Sequence, residues 1–297
     1  AALKTAQVAA FTTTQVAQGL NTEQMVALTT EQAQALTAAQ IAALSTTNVA
    51  ALETTDVAAL KTAQVAALTT TQVNQGLTTD QAAALTTAQV AALTTAQVNQ
   101  GLTTDQVIAL TTAQAQALTT GQIKALTTTN VAALQTDDFA ALKTAQVAAL
   151  TTTQVNQGLS TDQVAALTTA QAQALTAAQI AALTTTNVAA LQTDDFAALK
   201  TAQVAALTTT QVNQGLTTEQ VVALTTEQIQ SLSTAQIQAL TTTNVAAIET
   251  TDVAALKTNQ VSALTTTQVN QGLTTDQVSS LKTAQVAALT TAQVAQG

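Results

Sequence analysis

The chain has 297 residues, of which 47% are hydrophobic and 8% are charged, and its net charge at pH 7 is -9. It contains no His, Cys, Trp or Tyr, so most side chains that serve as general acids, bases or nucleophiles are absent, and we predict no enzymatic activity and no cofactor. The acidic balance argues against a nucleic-acid partner, because phosphate-binding surfaces are basic. No apolar run approaches the roughly 18 residues of a membrane span.

One eight-residue pattern repeats along the whole chain. With its leucine counted as position 1, the first octad begins at Leu3 and the last at Leu289, which makes 36 octads. Position 1 is Leu except at Phe11 and Ile248, position 3 is nearly always Thr, and position 6 is Val, Ile, Met, Phe or Ala. We therefore predict that positions 1 and 6 form the core.

The octad Leu85–Ala92 shows what the pattern encodes. Thr86 and Gln89 have the Thr-x-x-Gln spacing of a capping box, in which each side chain bonds the backbone N–H of the other residue. Leu85 and Val90 flank this cap with the spacing of a hydrophobic staple. Each octad therefore predicts a helix start, about one turn of helix, and a leucine that precedes the next start.

The period of eight decides between fold classes. In a continuous helix each leucine would turn by about 80° relative to the last, so the apolar stripe would wind around the axis. The strict alternation of a half-buried strand is also missing. We predict an all-α repeat solenoid, a superhelical rod of very short capped helices that forms a single continuous array over residues 1–297. A Thr-rich β-solenoid is the alternative, because Thr and Val favour strands.

A longer period is superimposed on the octad. Six octads carry an additional glycine before the next leucine, and the spacings between these glycines are 57, 25, 57, 57 and 57 residues. They are Gly19, Gly76, Gly101, Gly158, Gly215 and Gly272. Because the two spacings differ by four octads, we predict two or four octads per coil rather than three. We predict that each glycine adopts a left-handed conformation and ends a slightly longer helix.

Two adjacent aspartate pairs are the candidate metal ligands. They are Asp137 with Asp138 and Asp194 with Asp195, at positions 4 and 5 of two octads. Carboxylate oxygens are the ligands that calcium prefers, although these pairs lack the spacing of known calcium loops. Acids at the start of a helix also stabilise its dipole, which is the simpler explanation. The phenylalanine that follows each pair is predicted to be a core residue.

Threonine supplies the second candidate for function. Thr86 and Thr87 recur in most octads, and regular threonine rows on a flat face are typical of ice-binding proteins. The simpler explanation is that the first threonine caps the helix and the second is solvated. The same hydroxyls are candidate acceptors of O-linked glycan.

The motif Leu-Thr-Thr-x-Gln-Val-x-Ala, as it stands at Leu85, Leu93 and Leu289, resembles the octad tracts of very long, repetitive bacterial secreted or cell-surface proteins, described as adhesin-like or S-layer-like. The resemblance covers the whole chain. It implies an extracellular or cell-surface location and a structural role, and it carries no functional residue.

The function predicted from the sequence is structural: a surface filament, a sheath or an adhesin stalk. An ice-binding protein and a calcium-dependent adhesive module are the alternatives. The first and last octads, at Leu3 and Leu289, are as regular as the others, whereas solenoids that stay monomeric usually end in atypical polar repeats. We therefore expect the array to continue beyond this sequence or to self-associate into a fibre.

Overall fold

The computed structural model describes residues 3–295, and these are all-α: short helices follow one another at octad spacing, with no strand among the described residues. This confirms the predicted class and rejects the β-solenoid. The chain divides into two compact units, residues 1–150 and residues 151–297. Within residues 3–295, the helices are all far shorter than a membrane-spanning helix.

The helices of the N-terminal unit are Thr5–Ala9, Thr13–Gly19, Thr22–Val26, Thr30–Ala35, Ala38–Ala43, Thr46–Ala50, Thr54–Ala59, Thr62–Ala66, Gln72–Gly76, Thr79–Ala84, Thr87–Ala92, Gln97–Gly101, Thr104–Ile108, Thr112–Ala117, Thr120–Ala125, Thr128–Ala133, Thr136–Ala140 and Thr144–Ala149. Gln72–Gly76 and Gln97–Gly101 are π-helical.

The helices of the C-terminal unit are Thr152–Gln157, Thr161–Ala165, Thr169–Ala174, Ala177–Ala182, Thr185–Ala190, Thr193–Ala197, Thr201–Val204, Thr209–Gln214, Thr218–Val222, Thr226–Ser231, Thr234–Ala239, Thr242–Ala247, Thr250–Val253, Thr258–Ala263, Gln268–Gly272, Thr275–Ser280, Thr283–Ala288 and Thr291–Ala295. Gln268–Gly272 is π-helical.

Most helices begin and end as the octad predicts, and Thr87–Ala92 is an example. The Thr86 hydroxyl accepts a hydrogen bond from the Gln89 backbone N–H at 3.2 Å, and the Gln89 Oε1 accepts from the Thr86 N–H at 2.7 Å. Helix Thr87–Ala92 then ends at Leu93, whose φ of -55° and ψ of 135° are not helical. The leucine therefore turns the chain so that the next threonine can cap the next helix.

Three helices form each coil, so the expectation of two or four octads was wrong. Helix Thr30–Ala35 packs against Thr5–Ala9, three helices earlier, and against Thr54–Ala59, three helices later. The same offset of three recurs throughout each unit. The expectation assumed that the four octads by which the two glycine spacings differ must make up whole coils. It need not, because the octads are nearly identical and any of them can occupy any side of the coil.

The inserted glycines were expected to be left-handed, and this expectation was wrong, because no described residue has a positive φ. Gly76, Gly101, Gly215 and Gly272 allow a close approach to the preceding coil instead, whereas a Cβ atom on Gly19 would meet nothing within 4 Å. A Cβ atom on Gly76 would lie 3.1 Å from the Val49 Cβ and 3.2 Å from the Thr46 carbonyl oxygen, and one on Gly215 would lie 3.0 Å from the Thr185 carbonyl oxygen. At Gly76 the additional residue widens one turn into a π-helix, as insertions into helices commonly do.

The core consists of positions 1 and 6, as predicted. Leu85 is 4% exposed and Val90 is fully buried, and inner octads of both units repeat this. Phe139 and Phe196 are also fully buried, which confirms them as core residues. The helix that packs against the helix of Phe139 carries the small Ala115 at position 6. A small residue beside a large one keeps the layer evenly filled.

Replacing a core leucine should disrupt the coil that contains it. We expect Leu142→Asp to destabilise the protein by several kcal/mol, because Leu142 is 4% exposed and a buried carboxylate without a partner is costly. Ala88→Glu is the control, since Ala88 is exposed at position 4, and it should be nearly neutral. Thermal unfolding followed by circular dichroism measures both. Equal losses of stability would contradict the assignment of the core.

Candidate functional site

The side chain at position 5 lies at the contact between successive coils. The Oε1 of Gln89 closes the capping box of its own helix. Its Nε2 donates to the Val57 carbonyl at 2.8 Å and to the Leu60 carbonyl at 2.7 Å. Both carbonyls lie at the end of helix Thr54–Ala59, which is four helices earlier in the chain. One buried amide therefore satisfies an N–H at the start of one helix and two carbonyls at the end of another.

This arrangement recurs along both units. In each case the glutamine Nε2 donates to a position 6 carbonyl and to the position 1 carbonyl that follows it. The glutamines of the N-terminal unit that do so are Gln40, Gln64, Gln72, Gln81, Gln89, Gln97, Gln106, Gln114, Gln122 and Gln146. Those of the C-terminal unit include Gln203, Gln211, Gln220, Gln260, Gln268, Gln277 and Gln285.

The contact between coils has two different faces. At the start of the N-terminal unit, the position 5 residues Gln7, Gln15 and Gln24 are exposed, although the equivalent residues of the following coils are buried. At the end of the C-terminal unit, the position 6 residues of the last three octads, Val278, Val286 and Val294, are 49%, 50% and 61% exposed. The preceding coil therefore covers position 5, and the following coil covers position 6.

Two kinds of substitution interrupt the glutamine series. Asn48 is shorter and forms no capping box, but its Nδ2 still donates to the Leu20 carbonyl at 2.9 Å. The next octad has Asp56 at position 5, and an ionised carboxylate cannot donate at all. Its Oδ1 accepts a hydrogen bond from the Thr30 hydroxyl at 3.0 Å. An octad with Lys61 at position 2 follows, so one coil contains Asn, Asp and Lys in turn.

The structure separates the two members of each candidate metal-binding pair. Asp138 is 5% exposed, and its Oδ1 accepts from the Thr112 hydroxyl at 2.7 Å. Asp195 has the same exposure and accepts from Thr169 at 2.7 Å. The preceding aspartate of each pair is exposed. No three His, Cys, Asp or Glu side chains gather into a metal-binding group within residues 3–295.

Reasoning from sequence missed two members of this series, Asp56 and Asp252. Both are buried, and both accept a hydrogen bond from a threonine hydroxyl one coil earlier. The available signal was position 2 of the same octad, which is Glu or Gln instead of a capping Thr or Ser. The four octads with aspartate at position 5 have Glu53, Gln135, Gln192 and Glu249 at position 2.

Burial and neighbouring acids act on Asp56. Burial is the main cause that raises the pKa of Asp56, the Thr30 hydrogen bond opposes it, and the carboxylates of Glu53 and Glu31 raise it further. Glu31 itself is exposed, and hydrogen bonds from its own backbone N–H and from Thr29 lower its pKa. The region around Asp56 is therefore negative and holds one carboxylate that is poorly solvated.

The threonines lie as the capping interpretation predicted. The Thr86 hydroxyl caps its helix, and Thr87 is exposed in the first turn. On the outer surface, position 7 amides also bond to the next coil: the Gln34 Nε2 donates to the Ala59 carbonyl at 2.8 Å, and the Asn99 Nδ2 donates to the Ala125 carbonyl at 2.8 Å. Hydrogen bonds from side chains therefore connect the coils inside and outside.

These features define an all-helical, solenoid-like repeat protein whose coils are connected by buried amides. The chain belongs to the family of the ALTTAQ repeat, whose model matches most of its length. The matched ranges are 1–30, 49–87, 83–112, 131–169, 157–185, 188–226 and 245–283. Among curated proteins, none matches the chain.

The buried amide should matter far more than an exposed one. We expect Gln89→Glu to cost roughly 2–4 kcal/mol, because a buried carboxylate would face the Val57 and Leu60 carbonyls with no donor between them. The matched control is Gln116→Glu, which removes an exposed bond to the Ala141 carbonyl and should cost less than about 1 kcal/mol. Urea unfolding at neutral pH compares the two. Similar unfolding midpoints would disprove the role of position 5.

Proposed function

We propose that the chain is a structural protein of the cell exterior that builds a surface filament, a sheath or an adhesin stalk, without enzymatic activity. What carries this proposal is the two-faced contact between coils. Each coil has one face of position 5 amides and another face of apolar position 6 side chains, mostly valines, and these two faces meet inside each unit. Such head-to-tail contacts do not close on themselves and allow open-ended growth.

The first coil of the N-terminal unit presents the amide face. Beside its exposed glutamines lies an open cavity of about 470 Å³, lined by apolar residues that include Leu3, Val8, Phe11 and Leu20. Leu3 is 45% exposed, whereas position 1 leucines of inner coils are nearly buried. Another coil of the same pattern would cover these leucines and give the glutamine amides their carbonyl acceptors.

The last coil of the C-terminal unit presents the valine face. A shallow cavity of about 330 Å³ there is lined by Val269, Val278, Val286 and Leu289, among others. Exposed apolar surface of this kind favours association. The partner proposed for both faces is more of the same array, whether from the same chain or from a second copy.

The composition supports an extracellular location. The chain has no cysteine and only seven basic residues, so it neither depends on a redox environment nor offers many cleavage sites for proteases that cut beside basic residues. Exposed threonines such as Thr87 are candidate carriers of O-linked glycan. Stability shared among many identical coils suits a stalk or filament that must span distance.

The 297-residue chain should associate end to end. We expect sedimentation velocity to show oligomers that lengthen with concentration, and electron microscopy to show thin filaments. Replacing Val278, Val286 and Val294 together by Lys should raise the dissociation constant by more than about tenfold, because each valine left in water forfeits on the order of 1 kcal/mol.

The chain provides a matched control. Val26, Ile108 and Val222 are 45–49% exposed at position 7, on the outer surface, with Val26 in the first coil and the other two in inner coils. Replacing these three residues by Lys adds the same charge and should leave association unchanged. Strictly monomeric wild-type protein at high concentration would refute the proposed assembly. Thermal hysteresis in the same samples would favour the ice-binding alternative.

A further inference from the structure

We propose that the buried carboxylate of Asp56, together with backbone carbonyls of the preceding coil, binds a small hard cation such as Na⁺ or Ca²⁺. The proposal is independent of the assembly proposed above. It begins from Asp56 Oδ2, which is buried and has no hydrogen-bond partner among the described residues. The residue as a whole is 3% exposed, so bulk water does not solvate this oxygen.

The repeat shows what lies opposite this oxygen. In the helix that follows, the Gln64 Nε2 donates to the carbonyls 31 and 28 residues earlier, those of Ala33 and Leu36. In the helix before, the Asn48 Nδ2 donates to the carbonyl 28 residues earlier, that of Leu20. The same register places Asp56 against the carbonyls of Met25 and Leu28.

Asparagine and aspartate have the same shape, which makes the comparison with Asn48 direct. Where Asn48 presents an N–H₂ group to a carbonyl oxygen, Asp56 presents a second oxygen. This register assigns the two carbonyl oxygens to the side of the carboxylate oxygen that has no partner, while the Thr30 hydroxyl donates to the other carboxylate oxygen. Hard cations prefer such oxygen ligands.

The charges around Asp56 favour a cation further. Glu31 and Glu53 act on Asp56 as like charges. Both are exposed and no three acids form a metal-binding group in the described part of the chain, so they contribute electrostatic potential and not ligands. A bound cation would neutralise the one carboxylate that burial leaves poorly solvated.

The position of Asp56 recurs with the repeat. Asp138, Asp195 and Asp252 are buried at the same position and accept from an equivalent threonine hydroxyl. Asp252 also has acids in the register of the Asp56 site, Glu227 and Glu249. The buried oxygen without a partner is that of Asp56, so Asp56 is the proposed site, and the other three aspartates are replaced together with it in the test so that no equivalent carboxylate remains.

The experiment compares melting of the full chain in NaCl, in CaCl₂ with choline chloride, and in choline chloride alone, at equal ionic strength. Above the dissociation constant, the melting temperature should rise by about 3 °C for each tenfold increase in the concentration of the cation that binds. In the fourfold variant Asp56→Asn, Asp138→Asn, Asp195→Asn and Asp252→Asn, this dependence should disappear. The variant should still fold, because Asn48 already occupies the equivalent position of the preceding octad.

A second fourfold variant is the control for charge. Asp80, Asp105, Asp162 and Asp276 are exposed at position 4, and replacing them by Asn changes the net charge equally. This variant should keep the cation dependence of the wild type. Equal melting in all three salts, or a cation dependence that survives in the first variant, would overturn the proposal. So would stabilisation that appears only on acidification, since a proton would then fill the role given to the cation.

Discussion

The structure depends on solving one problem, which is the unpaired backbone of very short helices. A helix leaves its first four N–H groups and its last four carbonyls without intrahelical partners. In a helix of six residues such as Thr87–Ala92, these groups make up most of the backbone, and burying them unpaired would prevent folding. The position 5 glutamine answers both needs, since Gln89 accepts from the start of its own helix and donates to the end of another.

A solution of this kind makes each coil depend on its neighbour. The position 5 amide of one coil finds its carbonyl acceptors in the coil before it, and the position 6 valine of one coil is covered by the coil after it. Hydrophobic burial and hydrogen bonding therefore act across the same contact, in which the later coil supplies the position 5 amides and the earlier coil supplies the position 6 valines. A single octad cannot be stable by itself, and stability must be collective, as in other repeat proteins.

The sequence predicted the parts of this fold that are local. Thr86 and Gln89 identified the cap, and the recurrence of Leu85 and Val90 identified the core, because both signals lie within eight residues. The second bond of Gln89 reaches a residue 32 positions away, and nothing in an octad specifies its direction. The same limit applies to Asp138: its partner Thr112 is 26 residues distant, so adjacency to Asp137 was the more visible feature and the less informative one.

The glycine insertions show how two periods coexist in one solenoid. Seven octads are two coils and one further helix, so each 57-residue step moves the next glycine to a different side of the coil. In the C-terminal unit, Gly158, Gly215 and Gly272 consequently fall on three different sides. A residue added always on one side would lengthen that side alone and bend the stack. In the C-terminal unit the three insertions are distributed over three sides, so they lengthen these sides equally.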